Sequence, residues 1–230
     1  MSAHKHTRYF AILLSVVLDG QTQAADSPVE QCPGAAAWRR SHPNLADTSD
    51  PKSSGNTVIS DPALLNDLKL RVESDQAARR KWLAERKNQH LSRSVDAIDM
   101  ANRAWLRRLI SEKGFPTAAQ VGNDGVHLAW VLLQHADQDP KLQSEQLPVL
   151  EQRFSAGELP ANDLARITDR VLVANGKPQR YGTQFDWFAE EFQLPESSRM
   201  AEIDSERSHI GLMSLADYVC TIHTAREKLK

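Results

Sequence analysis

The residues best suited to chemistry follow an apolar run. Leu128 to Leu133, with Trp130 inside it, leads straight into Gln134-His135-Ala136-Asp137. Imidazole changes protonation near neutral pH and can act as a general acid or base once a carboxylate fixes its tautomer. Asp137 is a poor candidate for that carboxylate, because residues two apart point to different sides of a helix. Asp75 and Asp169 are better placed to reach His135 from other helices, so the candidate catalytic set is His135, Asp75 and Asp169. The competing reading is a core histidine bonded to a backbone carbonyl.

Candidate ligand-binding groups lie around this set. Tyr181-Gly182-Thr183-Gln184 offers a phenol, a permissive backbone, a hydroxyl and an amide in succession, suited to a small polar ligand or to filling a polar gap in the fold. Arg170, next to Asp169, can grip a carboxylate or phosphate, or form a structural ion pair. Gln134 and Arg79 complete the group with Tyr181, Thr183 and Gln184. No metal site or cofactor is expected. His42, His90, His127, His135, His209 and His223 form no His-Glu-x-x-His or comparable ligand spacing. His127 and His135 would stand about 12 Å apart along a helix. Phosphate-loop glycines, dinucleotide glycines and Gly-x-Ser-x-Gly are all missing from the sequence, which disfavours nucleotide enzymes and serine hydrolases.

Helices must position these groups. Asp61-Pro62 is an N-cap followed by proline at the first helical position. From there a helix to about Lys87 carries Leu65, Leu68, Val72, Asp75, Arg79 and Trp82 at spacings of 3 and 4. Asp75 and Arg79 can pair along it, and on a core-facing seam they must be satisfied or mark a polar pocket. A second helix fits Val95 to Glu112, ended by Lys113-Gly114. The central helix is expected from Asn123-Asp124 to about Asp139, before Pro140. It is apolar over more than half its circumference, so it is buried on several sides. Leu142–Phe154 and 160–175 follow, and two closing helices fit Met200–His209 and Met213–Arg226. The expected fold class is all-α: one domain of about six helices over 61–230, with a short two-stranded element near 179–190 also compatible with the sequence. Residues 25–60, rich in Ser, Pro, Asp, Gly and Asn, read as an irregular arm pinned at Cys32 and Trp38.

Composition narrows the function. The 230 residues are 40% hydrophobic and 25% charged with a formal charge of −2, and no basic block invites nucleic acid. Lys5 and Arg8, the apolar stretch Tyr9–Leu18 and the small residues to Ala24 have the layout of an export signal cleaved after residue 24. The apolar stretch is too short to span a bilayer, so no membrane span remains after cleavage. A periplasmic or secreted location follows, in which Cys32 and Cys220 could form a disulfide. Closing so long a loop is worth about 5 kcal/mol in the chain-entropy description.

Several motifs together resemble an uncharacterised bacterial family of unknown function. They are Asp75-Gln76 with Arg79, Gly114-Phe115-Pro116-Thr117, Gln134-His135-Ala136-Asp137, Asp169-Arg170 and Tyr181-Gly182-Thr183-Gln184. Trp130, Gln143, Gln179, Ile203-Asp204, Arg207 and Tyr218 accompany them, and the resemblance covers about 62–220. It implies a mostly helical domain with a shared polar constellation, an aromatic packing role for Phe115, and no particular activity. His127 stands where a small residue is expected in similar chains. Two functions remain. One is an exported enzyme or small-ligand protein whose pocket lies between the first, central and fifth helices. The other is an envelope interaction or structural protein whose polar motifs specify the fold.

Overall fold

A computed structural model describes residues 28–43, 58–186, 192 and 194–227. The export signal expected at 1–24 lies outside them. The described residues form eight helices and no strand: α1 (Pro33–Ser41), α2 (Pro62–Ala84), α3 (Gln89–Lys113), α4 (Ala118–Gln134), α5 (Pro140–Ser155), α6 (Ala161–Ala174), α7 (Ser197–His209) and α8 (Leu215–Glu227). The all-α class is as expected, with more helices than the six anticipated. The described part of 179–190 is irregular rather than two-stranded.

These residues divide into two compact units. One comprises those of Asp50–Ile167, the other those of Met1–Ser49 together with Thr168–Lys230, so the division falls within α6.

In the first unit α2 packs on α3 and α4, which also pack on each other, and α4 meets α5. Asp61 caps α2 by accepting from the Leu64 amide, with Pro62 at the first helical position. The buried seam of α2 is Leu64, Leu68, Val72, Asp75, Arg79 and Trp82, so the two charged residues face inward. Leu68, Leu106, Val121, Leu133 and Leu150 are fully enclosed. Covering such side chains is worth roughly 2 kcal/mol each.

Two helix boundaries differ from expectation for local reasons. α4 starts at Ala118 because Thr117 and Gln120 form a capping box, their side chains satisfying each other's backbone amides. Gly122, at φ 72°, then breaks the helix inside its second turn. At the other end α4 stops at Gln134, with His135 as C-cap at φ −84°, ψ 0°. His135-Ala136-Asp137 is therefore a turn and not helix. Asp139 and Pro140, expected to end the central helix, instead start α5: the Asp139 side chain accepts from the Leu142 amide.

In the second unit α1 and α7 both pack on α8. Phe185, Ile203, Leu215, Tyr218 and Ile222 form its core. The arm is not wholly irregular, since Pro33 opens α1 and Ala35 and Ala36 are buried. Cys32, the residue before α1, is disulfide-bonded to Cys220 of α8, with 5.9 Å between their Cα atoms. Among the described residues no helix is long and apolar enough to cross a membrane.

Candidate functional site

The polar residues on the α2 seam meet α3 and the turn after α4. Oδ2 of Asp75 lies 2.9 Å from Nδ1 of His135. The same carboxylate accepts from Nε of Arg79 at 3.2 and 3.3 Å and from Nε2 of Gln76 at 2.9 Å. Arg79 turns its other edge to Asp99 on α3, with Nη2 2.5 Å from Oδ1. The structure thus brings the candidates Asp75, Arg79 and His135 together, with Asp99 beside them. All are enclosed: Asp75 is 1% exposed, His135 6% and Arg79 9%, while the Asp99 side chain keeps 17%.

Local structure explains how His135 is held. The last carbonyls of a helix have no partner within it. Nε2 of Gln143, from α5, donates to the carbonyls of Leu133 and Gln134 at 3.1 and 3.2 Å. That fixes the end of α4, from which His135 emerges. The start of α4 is anchored too, because Arg153 donates to the carbonyls of Phe115 and Pro116. Glu158 accepts from the Ala118 amide, and Phe115 is buried at 4% exposure. Gly114-Phe115-Pro116-Thr117 is thus a packing and capping segment. Asp137 is exposed.

Two amides near this group lack partners among the described residues. Nδ2 of Asn102 is buried without one, although its Oδ1 accepts from Nη1 of Arg71 at 3.2 Å. Both polar atoms of the Gln134 side chain are also buried without partners. A buried polar group left unpaired costs about 1–3 kcal/mol, so such groups call for an explanation.

Charge sets the chemistry. Burial pushes the Asp75 carboxyl up, but the His135 imidazole and the Arg79 guanidinium outweigh it and hold Asp75 down at about 2. Burial pushes Asp99 up, with help from the negative charges of Asp75 and Asp137; Arg79 offsets only part of this, and Asp99 lies at about 7. Two carboxylates thus share one guanidinium, with an imidazole on Asp75, and their proton affinities differ.

Asp169, Thr183 and the backbone of the Tyr181 turn form a separate group in the second unit. Oδ1 of Asp169 accepts from the amides of Arg180 and Tyr181 at 2.7 and 2.9 Å. Its Oδ2 accepts from the amide and the hydroxyl of Thr183, both at 2.8 Å. Gln179 and Gln184 clasp each other across the same turn: Nε2 of Gln179 donates to the Gln184 carbonyl, and its Oε1 accepts from the Gln184 amide. Arg207, 1% exposed, donates to the carbonyls of Tyr181 and Met213 and stacks over the Tyr218 ring. Gly182 takes φ 66°, and a Cβ there would stand 2.7 Å from Leu215 Cδ1. Both carboxylate oxygens of Asp169 are therefore committed to the 180–183 turn, and the carboxylate beside His135 is that of Asp75. Burial pushes the Asp169 carboxyl up, and its neutral donors offset part of the rise. Arg170 and Gln184 are buried, at 6% each, and Tyr181 at 5%.

Residues 62–229 match the model of a family of unknown function, DUF6624. The chain belongs to the DUF6624 family. The match takes in both polar groups, α2 through α8, and leaves out α1 with Cys32. No curated protein and no solved structure matches this DUF6624 chain.

Proposed function

We propose that the chain is an exported protein whose polar cluster between α2, α3 and the end of α4 binds a small polar ligand and performs acid–base chemistry on it. His135 is the proton-transferring group and Asp75 orients it. Arg79 holds Asp75 and Asp99 in place, and Gln134 supplies a ligand-facing amide. The observation that carries this reading is the 2.9 Å approach of Asp75 Oδ2 to His135 Nδ1 inside a buried group that also holds a guanidinium and a second carboxylate. Withdrawing such charges from water is costly, and apolar packing of the same volume is often as stable or more so. The unpartnered amides of Asn102 and Gln134 are groups a ligand would satisfy. Export is supported by the layout of the first residues and by the Cys32–Cys220 disulfide, a bond favoured in oxidising compartments.

The structural-protein reading has its own support, confined to the Asp169 group. Both carboxylate oxygens of Asp169 have protein donors, as expected of a network that specifies a turn. A thermal-shift screen of small carboxylates, phosphates, amines and sugars separates the two. Wild type, His135→Gln and Tyr181→Phe would be compared. The reading expects a ligand that stabilises wild type and Tyr181→Phe but not His135→Gln. A screen without hits, with a large loss of melting temperature in His135→Gln, would count for a scaffold role in both groups.

A further inference from the structure

An oxygen of Asp75, an oxygen of Asp99 and a ring nitrogen of His135 all lie within 4.8 Å of one another. Ligand atoms around a small divalent ion stand roughly 3–4.5 Å apart, given bonds of about 2.0–2.2 Å. The upper bound of 4.8 Å among the three lies close to that range. Asp99 commits only Oδ1 to Arg79, and its Oδ2 has no partner among the described residues. Asp75 is held by Gln76 and Arg79, the kind of outer support that orients metal-binding carboxylates.

Two carboxylates and one guanidinium leave an excess negative charge beside a histidine. A monovalent proton or a divalent cation would answer it. With a divalent ion the sum becomes positive, which calls for hydroxide or another small anion on the open coordination positions. A second, independent feature points the same way. Asn102 lies three residues after Asp99 on the same face of α3. Its Oδ1 is turned to Arg71 of α2, one helical turn before Asp75. The remaining amide donor, Nδ2, is thus buried without a partner in the seam that carries both carboxylates. A bare donor there fits an anion bound to the ion.

We propose that His135, Asp75 and Asp99 hold a divalent transition-metal ion of the zinc or manganese class. Arg79 serves as outer partner of both carboxylates, and Asn102 Nδ2 is the donor to a small anion on the ion. One imidazole with two carboxylates suits these ions better than the softer metals that prefer thiolates. The proposal rests on reading this cluster as a site and not a scaffold, and it moves the acid–base role from the imidazole to water on the ion.

Equilibrium dialysis of EDTA-stripped full-length protein against Zn²⁺ and against Mn²⁺ tests it. One ion per chain is expected for at least one metal. Its affinity should fall tenfold or more in Asp99→Asn and in His135→Gln, with folding verified by circular dichroism. The exposed His209→Ala should leave it unchanged. Asp99→Asn is the decisive variant, because it keeps the side-chain volume at a partly exposed position. No stoichiometric ion, or an affinity unmoved by Asp99→Asn, would overturn the metal assignment. Ligand stabilisation persisting in EDTA without an ion would reject the metal and leave the polar-ligand reading standing. Neither ion nor ligand would reject both.

Discussion

Asp75 and Asp169 are both buried aspartates, 1% and 0% exposed, yet their surroundings push them in opposite directions. Asp75 meets an imidazole and a guanidinium, and their charges overcome desolvation and hold its carboxyl down at about 2. Asp169 meets three backbone amides and a hydroxyl, all neutral, and desolvation prevails. A carboxylate ringed by neutral amides is committed to the shape of a turn. One set between titratable and cationic side chains can exchange protons or accept a cation. Burial and hydrogen bonding are common to both aspartates; the charge of the partners is what differs.

The largest expected effect comes from removing the clasp. Asp169→Ala leaves the buried amides of Tyr181 and Thr183 and the Arg180 amide without their acceptor. Loss of about 4 kcal/mol is expected in urea unfolding, from several lost hydrogen bonds at 1–2 kcal/mol apiece. A change below about 1 kcal/mol would undo the scaffold assignment. Gly182→Ala strikes the same turn through its positive φ and the approach of Leu215. Roughly 3 kcal/mol should be lost, readable as a lowered Tm.

Acid should expose the contrast next. The folded-state value of Asp75 is depressed from 3.8 to about 2. Its contribution is therefore present above the unfolded value and lost as pH falls through the folded one. Wild type should lose about 2 kcal/mol more than Asp75→Asn on acidification across that window. Asp169 is raised, so its contribution is fully present below 3.8 and is lost as pH rises through its folded value. Stability curves against pH for Asp75→Asn and Asp169→Asn, taken in EDTA, should thus depart from wild type with opposite slopes. Parallel departures would erase the distinction. The smallest effect is Asp99→Asn near neutral pH. Asp99 lies at about 7 and the amide imitates its protonated form, so a change under about 1 kcal/mol is expected.

Much of the first group was legible in the sequence. The 3-and-4 spacing through Asp75 and Arg79 places both on the core seam of α2, and Asp75 was one of two carboxylates expected at His135. Asp99 shares a face of α3 with Val95 and Asn102, at the spacings that mark a helix stripe. That spacing was the available signal. The partners of Asp169 could not be read, because they are mostly backbone amides, which carry no residue identity. The helix α1 was hidden in a Ser- and Pro-rich stretch, though Pro33 followed by Ala35-Ala36-Ala37 is a local helix start. By sequence Gly122 reads as a terminator, which puts the expected start of α4 after it. In the fold it is a break after a Thr117–Gln120 capping box that already begins the helix.

Equilibrium urea unfolding of His135→Gln, with wild type in parallel, tests most directly whether the α2–α3–α4 group is a site. The imidazole sits on the turn after α4, outside the helix, so a loss within about 1 kcal/mol is expected. A loss of several kcal/mol, matching that of Asp169→Ala, would show that both groups serve the fold alone.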